Sequence, residues 1–236
     1  MKFPKSCSKL MLVVVLVSGL SSCALKQNTF SYATPDQPND PVDYQEKSGW
    51  ATQGFAVAAA NPLATDAGYQ VLKAGGSAID AAIAVQMVLT LVEPQSSGIG
   101  GGAFILHHDG KKVEAYDGRE VAPSAATDQL FLDANGKPLS FIEGVVSGLS
   151  VGVPGTLSVL EMAHKEHGKL PWATLMQPAI QLAEQGFKLS PRLHRALLEE
   201  NHLINDPVAA SYFYDAQRKP HPVGFVLKNP ELADIL

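Results

Sequence analysis

The residues best suited to chemistry lie between positions 93 and 120. This stretch reads EPQSSGIGGG, a strand-like AFILHH, an Asp109-Gly110 turn, KKVEAY and then Asp117-Gly118-Arg119-Glu120. A planar guanidinium such as that of Arg119 can hold a carboxylate through two parallel hydrogen bonds, which adds geometry to charge. The competing reading of Arg119 is a surface ion pair with Asp117 or Glu120. Glycine loses more backbone entropy on folding than any other residue, so the glycine-rich run at 98–102 signals a sharp turn or a close approach to the backbone. It reads either as a tight loop joining a buried helix to a buried strand, or as a loop that receives an anion or substrate. A nucleotide loop is excluded by order. Such a loop needs strand, glycines and then helix, whereas these glycines follow a helical pattern and precede a strand.

Three other groups could carry chemistry. Gly148-Leu149-Ser150-Val151-Gly152 fits the G-x-S-x-G nucleophile elbow of a lipase or esterase, with Asp206 or Asp215 and His221 as partners in the right order. That elbow needs a helix directly after the serine, and Gly152, Pro154 and Gly155 argue instead for a glycine-rich turn into a later helix. His107 and His108 are adjacent on a strand, so they face opposite sides and cannot chelate one ion together. His164 and His167, near Glu166, have helical spacing that would allow a metal, but a solvated helix face explains them as well. No metal and no cofactor is expected.

The elements that must position these residues belong to an ordinary globular chain. It has 236 residues, 46% of them hydrophobic, enough for one domain with a sizeable core. A net charge of -5 and the lack of a basic stripe exclude a nucleic-acid footprint. Residues 1–22 read as a bacterial lipoprotein signal. Lys2, Lys5 and Lys9 precede an apolar segment too short to span a bilayer, and Leu20-Ser21-Ser22-Cys23 resembles a lipobox. Cleavage would leave Cys23 with a diacylglyceryl thioether and an acylated amino terminus, a stable anchor because more than one chain is buried. Ala24 after the cysteine points to the outer membrane, facing the periplasm of a Gram-negative bacterium. Cys7 lies in the segment to be removed, so no disulfide framework is possible within this chain. Residues 23–49, rich in Pro, Asp, Gln and Asn, read as a flexible tether, and the domain is expected over 50–236.

Within that domain, 54–60 reads as a short, fully buried strand. Asn61 and Pro62 open a helix that stops at Gly75-Gly76. Ser77 and Asp80 form a capping box for AIDAAIAVQMVLTLV, apolar nearly all round and hence buried. A hairpin follows, 103–108 and 112–116, around a type I′ Asp109-Gly110 turn. Residues 155–166, 171–185 and 191–202 read as amphipathic helices. Leu175, Met176, Ala179, Ile180 and Ala183 make a core stripe on the second of them. Tyr212, Phe213 and Tyr214 fall in an irregular, Pro-flanked region and are expected to pack on the core.

VAAANPLATDAGYQVLKAGGSAIDAAIAVQMVLTLVEPQSSGIGGGAFILHHDG and YDGREVAP together resemble the large-subunit half of gamma-glutamyltranspeptidases. The likeness continues through VGVPGTL, LPWATLMQPAIQLAEQGF and NPELADIL, from about Phe55 to Leu236. The resemblance implies an α/β (α+β) fold, the four-layer αββα sandwich of N-terminal nucleophile hydrolases, present only in its N-terminal part. It implies a precursor that cuts itself into large and small subunits. The small subunit's new N-terminal threonine then attacks a gamma-glutamyl carbonyl, usually that of glutathione. Water, an amino acid or a peptide accepts the group. It also implies that Arg119 binds the donor's alpha-carboxylate. The threonine would lie beyond Leu236, and the chain stops within a helix just opened by Asn229-Pro230. A truncated product, inert alone, is therefore expected.

Overall fold

A computed structural model describes residues 51–236. The signal segment, Cys23 and the tether lie outside the described residues. The chain runs through α1 (Pro62–Lys73), α2 (Ala78–Val92), β1 (Ala103–His108), β2 (Val113–Gly118), α3 (Phe141–Val146), α4 (Thr156–His167) and α5 (Trp172–Gln185). It continues through β3 (Phe187–Lys188), α6 (Pro191–Glu199), α7 (Pro207–Phe213), β4 (Val226–Leu227) and α8 (Pro230–Ile235). No described helix is long and apolar enough to cross a membrane.

The centre is α2. Its side chains are buried on nearly every side, and it packs against α1, α4 and α5. The caps form as the sequence dictates. Asn61 accepts from the Leu63 N–H, with Pro62 in the first turn. Ser77 and Asp80 exchange both bonds of the capping box. Gly75 ends α1 at φ +93°, a conformation that costs glycine little. The core stripe of α5 is buried at Leu175, Met176, Ala179 and Ala183, with Ile180 partly covered. Pro178 lies inside α5 and removes one bond from its ladder.

The architecture is mixed helix and strand. Among the described residues the sheets are two antiparallel two-stranded ribbons, β1 with β2 and β3 with β4. The first is paired from Ala103↔Gly118 to His108↔Val113.

Several local expectations are corrected. Residues 54–60 form no strand and are largely exposed, because a strand exists only where another pairs with it and no described segment does. The hairpin connection is not a two-residue type I′ turn, which needs positive φ at both central residues. Only Gly110 has it, and the loop spans 109–112, with the Asp109 carboxylate accepting from the Lys111 and Lys112 N–H groups at 2.8 and 2.9 Å. Pro171 caps α5 from outside rather than opening its first turn, and α6 ends at Glu199. The region around Tyr212 is helical: Asp206 caps α7 by accepting from the Ala209 N–H, and Tyr214 is buried just beyond it.

Candidate functional site

Arg119 follows directly on β2, and the alternation of that strand decides where it points. Glu114, Tyr116 and Gly118 share the inner face of the ribbon with Ala103, Ile105 and His107. That face packs on α4. Gly118 lies so close to Val159 that a Cβ there would collide with it. The next residue therefore turns outward, and the Arg119 side chain is 70% exposed.

Its backbone is held on both sides. The Arg119 N–H donates to Asp117 Oδ1 at 2.9 Å. Beyond it, Val121 bridges to Val153, whose N–H donates to the Val121 carbonyl at 2.9 Å. A Cβ on Gly155 would strike the Gly118 carbonyl, and one on Gly152 would meet Glu120 Cβ at 2.9 Å. Arg119 is thus a solvated cation on a tightly packed support. Its Nη1 lies 3.4 Å from Glu120 Oε2. Asp117 bonds to the main chain instead, so of the two surface pairs weighed from sequence, Glu120 provides the contact.

The glycine-rich loop at 98–102 is built for close approach, not for an unusual turn. None of its glycines has positive φ. A Cβ on Gly102 would lie 2.8 Å from the Gly118 carbonyl and run into the Glu120 carboxylate. The Gly101 carbonyl accepts from the N–H groups of Gly155 and Thr156 at 3.0 and 3.1 Å, filling the N-terminus of α4. The loop therefore locks onto the segment that carries Arg119. Gly100 alone of these glycines has open space on every side of a notional Cβ.

Two buried carboxylates fix this scaffold, and the long-range partners of each are not legible from its sequence neighbours. Glu93 is 2% exposed at the C-terminal end of α2. Asn61 Nδ2 donates to its Oε1 at 3.0 Å and Gln95 Nε2 to its Oε2 at 2.7 Å, while Arg192 Nε lies 3.2 Å from Oε2. A negative charge at a helix C-terminus opposes the macrodipole, and that conflict is the one sequence signal that a cationic partner was required. Asp80 is fully buried. Beyond its capping box, it accepts from the Lys169 and Leu170 N–H groups, tying α2 to the connection before α5.

The other candidates separate. Ser150 sits in a one-turn 3-10 helix, and its hydroxyl donates to the carbonyls of Val145 and Ser147 at 3.0 and 3.1 Å. The helix that follows begins only at Thr156, so strand, serine and helix are not joined as an elbow. Asp206 caps α7, Asp215 accepts from the Gln217 and Lys219 N–H groups, and the His221 ring stacks on Phe225. His164 and His167 do not converge: His164 Nε2 faces the Leu170 carbonyl and Asp80, whereas His167 stacks on His107. The structure instead brings His107, Glu114 and His167 together, a grouping that strand register and a distant helix create and spacing cannot reveal.

Similarity to known proteins identifies the family of this chain. The family model described as Gamma-glutamyltranspeptidase matches residues 64–236. The glutathione hydrolase proenzyme of Bacillus subtilis (strain 168) is 39% identical over 209 residues, covering 88% of this chain and 34% of the relative. Among solved structures, Helicobacter pylori gamma-glutamyltranspeptidase superposes with a TM-score of 0.74 at 33% identity, over 79% of this chain and 54% of that one. The Pseudomonas nitroreducens enzyme complexed with L-DON gives 0.70 at 35% identity, over 78% and 54%. The chain spans about a third of the length of the Bacillus relative. With the glycine loop, the Arg119 segment, most of α1 and all of α2 through α8 inside the matched region, the chain belongs to the gamma-glutamyltranspeptidase family, on the fold of N-terminal nucleophile hydrolases.

Proposed function

We propose that this chain supplies the donor-binding part of an enzyme that transfers or hydrolyses gamma-glutamyl groups, with glutathione and related gamma-glutamyl compounds as donors. Relatives named glutathione hydrolase support the reaction class. The observation that carries the site is Arg119, a guanidinium 70% exposed on a backbone held by packed glycines. In this reading it takes the donor's alpha-carboxylate in a bidentate grip and so fixes where the gamma-carbonyl lies. Arg119 itself is exposed, but the Glu120 Oε2 it faces is buried and has no hydrogen-bond partner, so a donor carboxylate must outweigh the loss of that contact or share the guanidinium with it.

The nucleophile is a threonine in sequence C-terminal to Leu236, on the small subunit cut from the same precursor. Its hydroxyl oxygen bonds to the gamma-carbonyl carbon, the amide C–N bond breaks and the departing amine takes up a proton. Water, an amino acid or a peptide then takes the glutamyl group from the ester. The 236-residue chain alone turns nothing over, since holding a carboxylate without a nucleophile lowers no barrier. No cofactor takes part. The amino terminus is lipidated at Cys23 and anchors the protein in the outer membrane facing the periplasm. Cys23→Ser should then release it from the membrane fraction.

The test is gamma-glutamyl anilide turnover by the product of the complete reading frame, with Arg119→Ala beside it. The product should split into two chains and release anilide. Arg119→Ala should lose roughly 10–100-fold in kcat/KM, the loss expected for hydrogen bonds to charged groups worth ~1.5–3 kcal/mol. Neither splitting nor turnover, with an intact downstream threonine, would leave a non-catalytic anchored binding protein as the better account.

A further inference from the structure

His107, Glu114 and His167 converge from three elements at the far end of the ribbon from Arg119. His107 and Glu114 are direct cross-strand partners on its inner face, and His167 descends from the last turn of α4. One donor atom from each lies within 4.8 Å of the other two. His107 Nδ1 is 3.8 Å and His167 Nε2 is 3.2 Å from Glu114 Oε2. Ligands bound about 2.0–2.1 Å from a tetrahedral ion sit roughly 3.3 Å apart, so the His167–Glu114 side already fits and His107 must move inward for the triangle to close on one.

The occupancy of the neighbouring atoms points the same way. His107 Nδ1 and Glu114 Oε2 are both buried and lack a hydrogen-bond partner. Native proteins rarely leave such atoms unsatisfied, and an unfilled ion site is one recognised cause. The other carboxylate oxygen, Oε1, is held by Lys112 Nζ at 2.7 Å, which turns Oε2 inward. The two imidazole rings stack with centroids 3.9 Å apart and 27° between their planes, so their in-plane lone pairs run nearly parallel and one ring must turn for both to meet an ion. The Tyr116 hydroxyl donates to Glu166 Oε2 at 2.8 Å and so accepts from His167 Nε2 at 2.8 Å, a proton that an ion would have to displace.

We propose that His107, Glu114 and His167 form a binding site for one divalent transition-metal ion of the zinc class. Two imidazoles and a carboxylate suit that class, with a fourth position left for water or the Tyr116 oxygen. The ion would act as a clamp. It would join the hairpin-loop end of the β1–β2 ribbon to α4, as Gly118 packed on Val159 joins the end that carries Arg119.

The test is direct titration of the metal-stripped full-length chain with Zn2+, in detergent and with Cys7 and Cys23 alkylated to remove thiol ligands. Calorimetry should find one saturable site. Co2+ should give the visible bands of a four-coordinate site, and the melting temperature should rise with Zn2+. His107→Ala, His167→Ala and Glu114→Gln should each weaken binding by about tenfold or more, since even loss of an outer-shell partner costs about 10–100-fold. His108→Ala, on the opposite face of the same strand, should bind as the unaltered chain does. The isosteric Glu114→Gln carries the test if a histidine variant misfolds, with circular dichroism as the check. Absence of a saturable site in the folded chain, or binding that the three substitutions leave undiminished, would overturn the proposal.

Discussion

Arg119 and Glu93 show how differently a charge behaves in the open and under cover. Arg119 keeps its solvation and can exchange partners, which suits a ligand that must come and go. Glu93 cannot. With its carboxylate buried against Asn61, Gln95 and Arg192, Glu93→Ala should lower stability by about 2–4 kcal/mol, read as a fall in urea midpoint with unchanged m-value. The loss should sit towards the lower end, because Arg192 is partly exposed and can rehydrate. A second residue-scale prediction concerns alkaline pH. Burial pushes the Tyr212 hydroxyl up to about 12, with Asn229 pulling the other way. The folded state thus favours the protonated phenol, and that contribution is complete below about pH 10, the unfolded value. It should disappear as the pH rises from about 10 to 12. Burial likewise pushes the Tyr116 hydroxyl up to about 12, so Tyr212→Phe should remove one of two late steps in the phenolate absorbance titration and reduce the stability loss over that window.

The glycines set the terms for the elements. Gly102→Ala should destabilise the chain by about 1–3 kcal/mol, because its Cβ meets the Gly118 carbonyl, which cannot move without shifting β2. Gly100→Ala, with open space around it, should stay within about 0.5 kcal/mol. A pair of equal melting temperatures would contradict the packing account of the loop. Asp80→Ala should cost more than a lost cap, about 3–5 kcal/mol, since it strands the N–H groups of Ser77, Lys169 and Leu170 together. Sequence reading placed this residue in its capping box and could see no further, for a local motif carries no trace of a partner 89 positions away. The same limit explains the other misses. Helices with caps and apolar stripes, such as α1, α2 and α5, are specified within their own length. The segment at 54–60 has the composition of a buried strand, but pairing is a property of two segments and no described one pairs with it. The Asp109-Gly110 dipeptide marked the bend correctly. Lys111 and Lys112, drawn into it by the Asp109 carboxylate, lengthened it. Arg119 was legible as a candidate because its motif is local, whereas the joining of His107 and Glu114 to His167 required the folded register.

At the scale of the molecule, the β1–β2 ribbon is covered on one face only. Phe104, Leu106 and Val113 lie on the other face, each more than half exposed. A four-layer sandwich buries both faces of each sheet, one under helices and one against the second sheet. The 236-residue chain by itself should therefore self-associate and bind a hydrophobic dye. Phe104→Ser with Leu106→Ser should suppress both without lowering the melting temperature. The same two changes in the product of the complete reading frame should be destabilising, because there this face would be interior. In the proposed function, the outward turn of Arg119 beyond that ribbon links architecture to activity through one contact to a donor carboxylate. The most direct measurement is a cycle: kcat/KM for gamma-glutamyl anilide and for the 4-aminobutyryl anilide that lacks the alpha-carboxylate, each with the unaltered enzyme and with Arg119→Ala. The loss of roughly 10–100-fold from Arg119→Ala should appear with the first donor and vanish with the second. Equal losses with both donors would contradict the assignment of Arg119 as the carboxylate ligand.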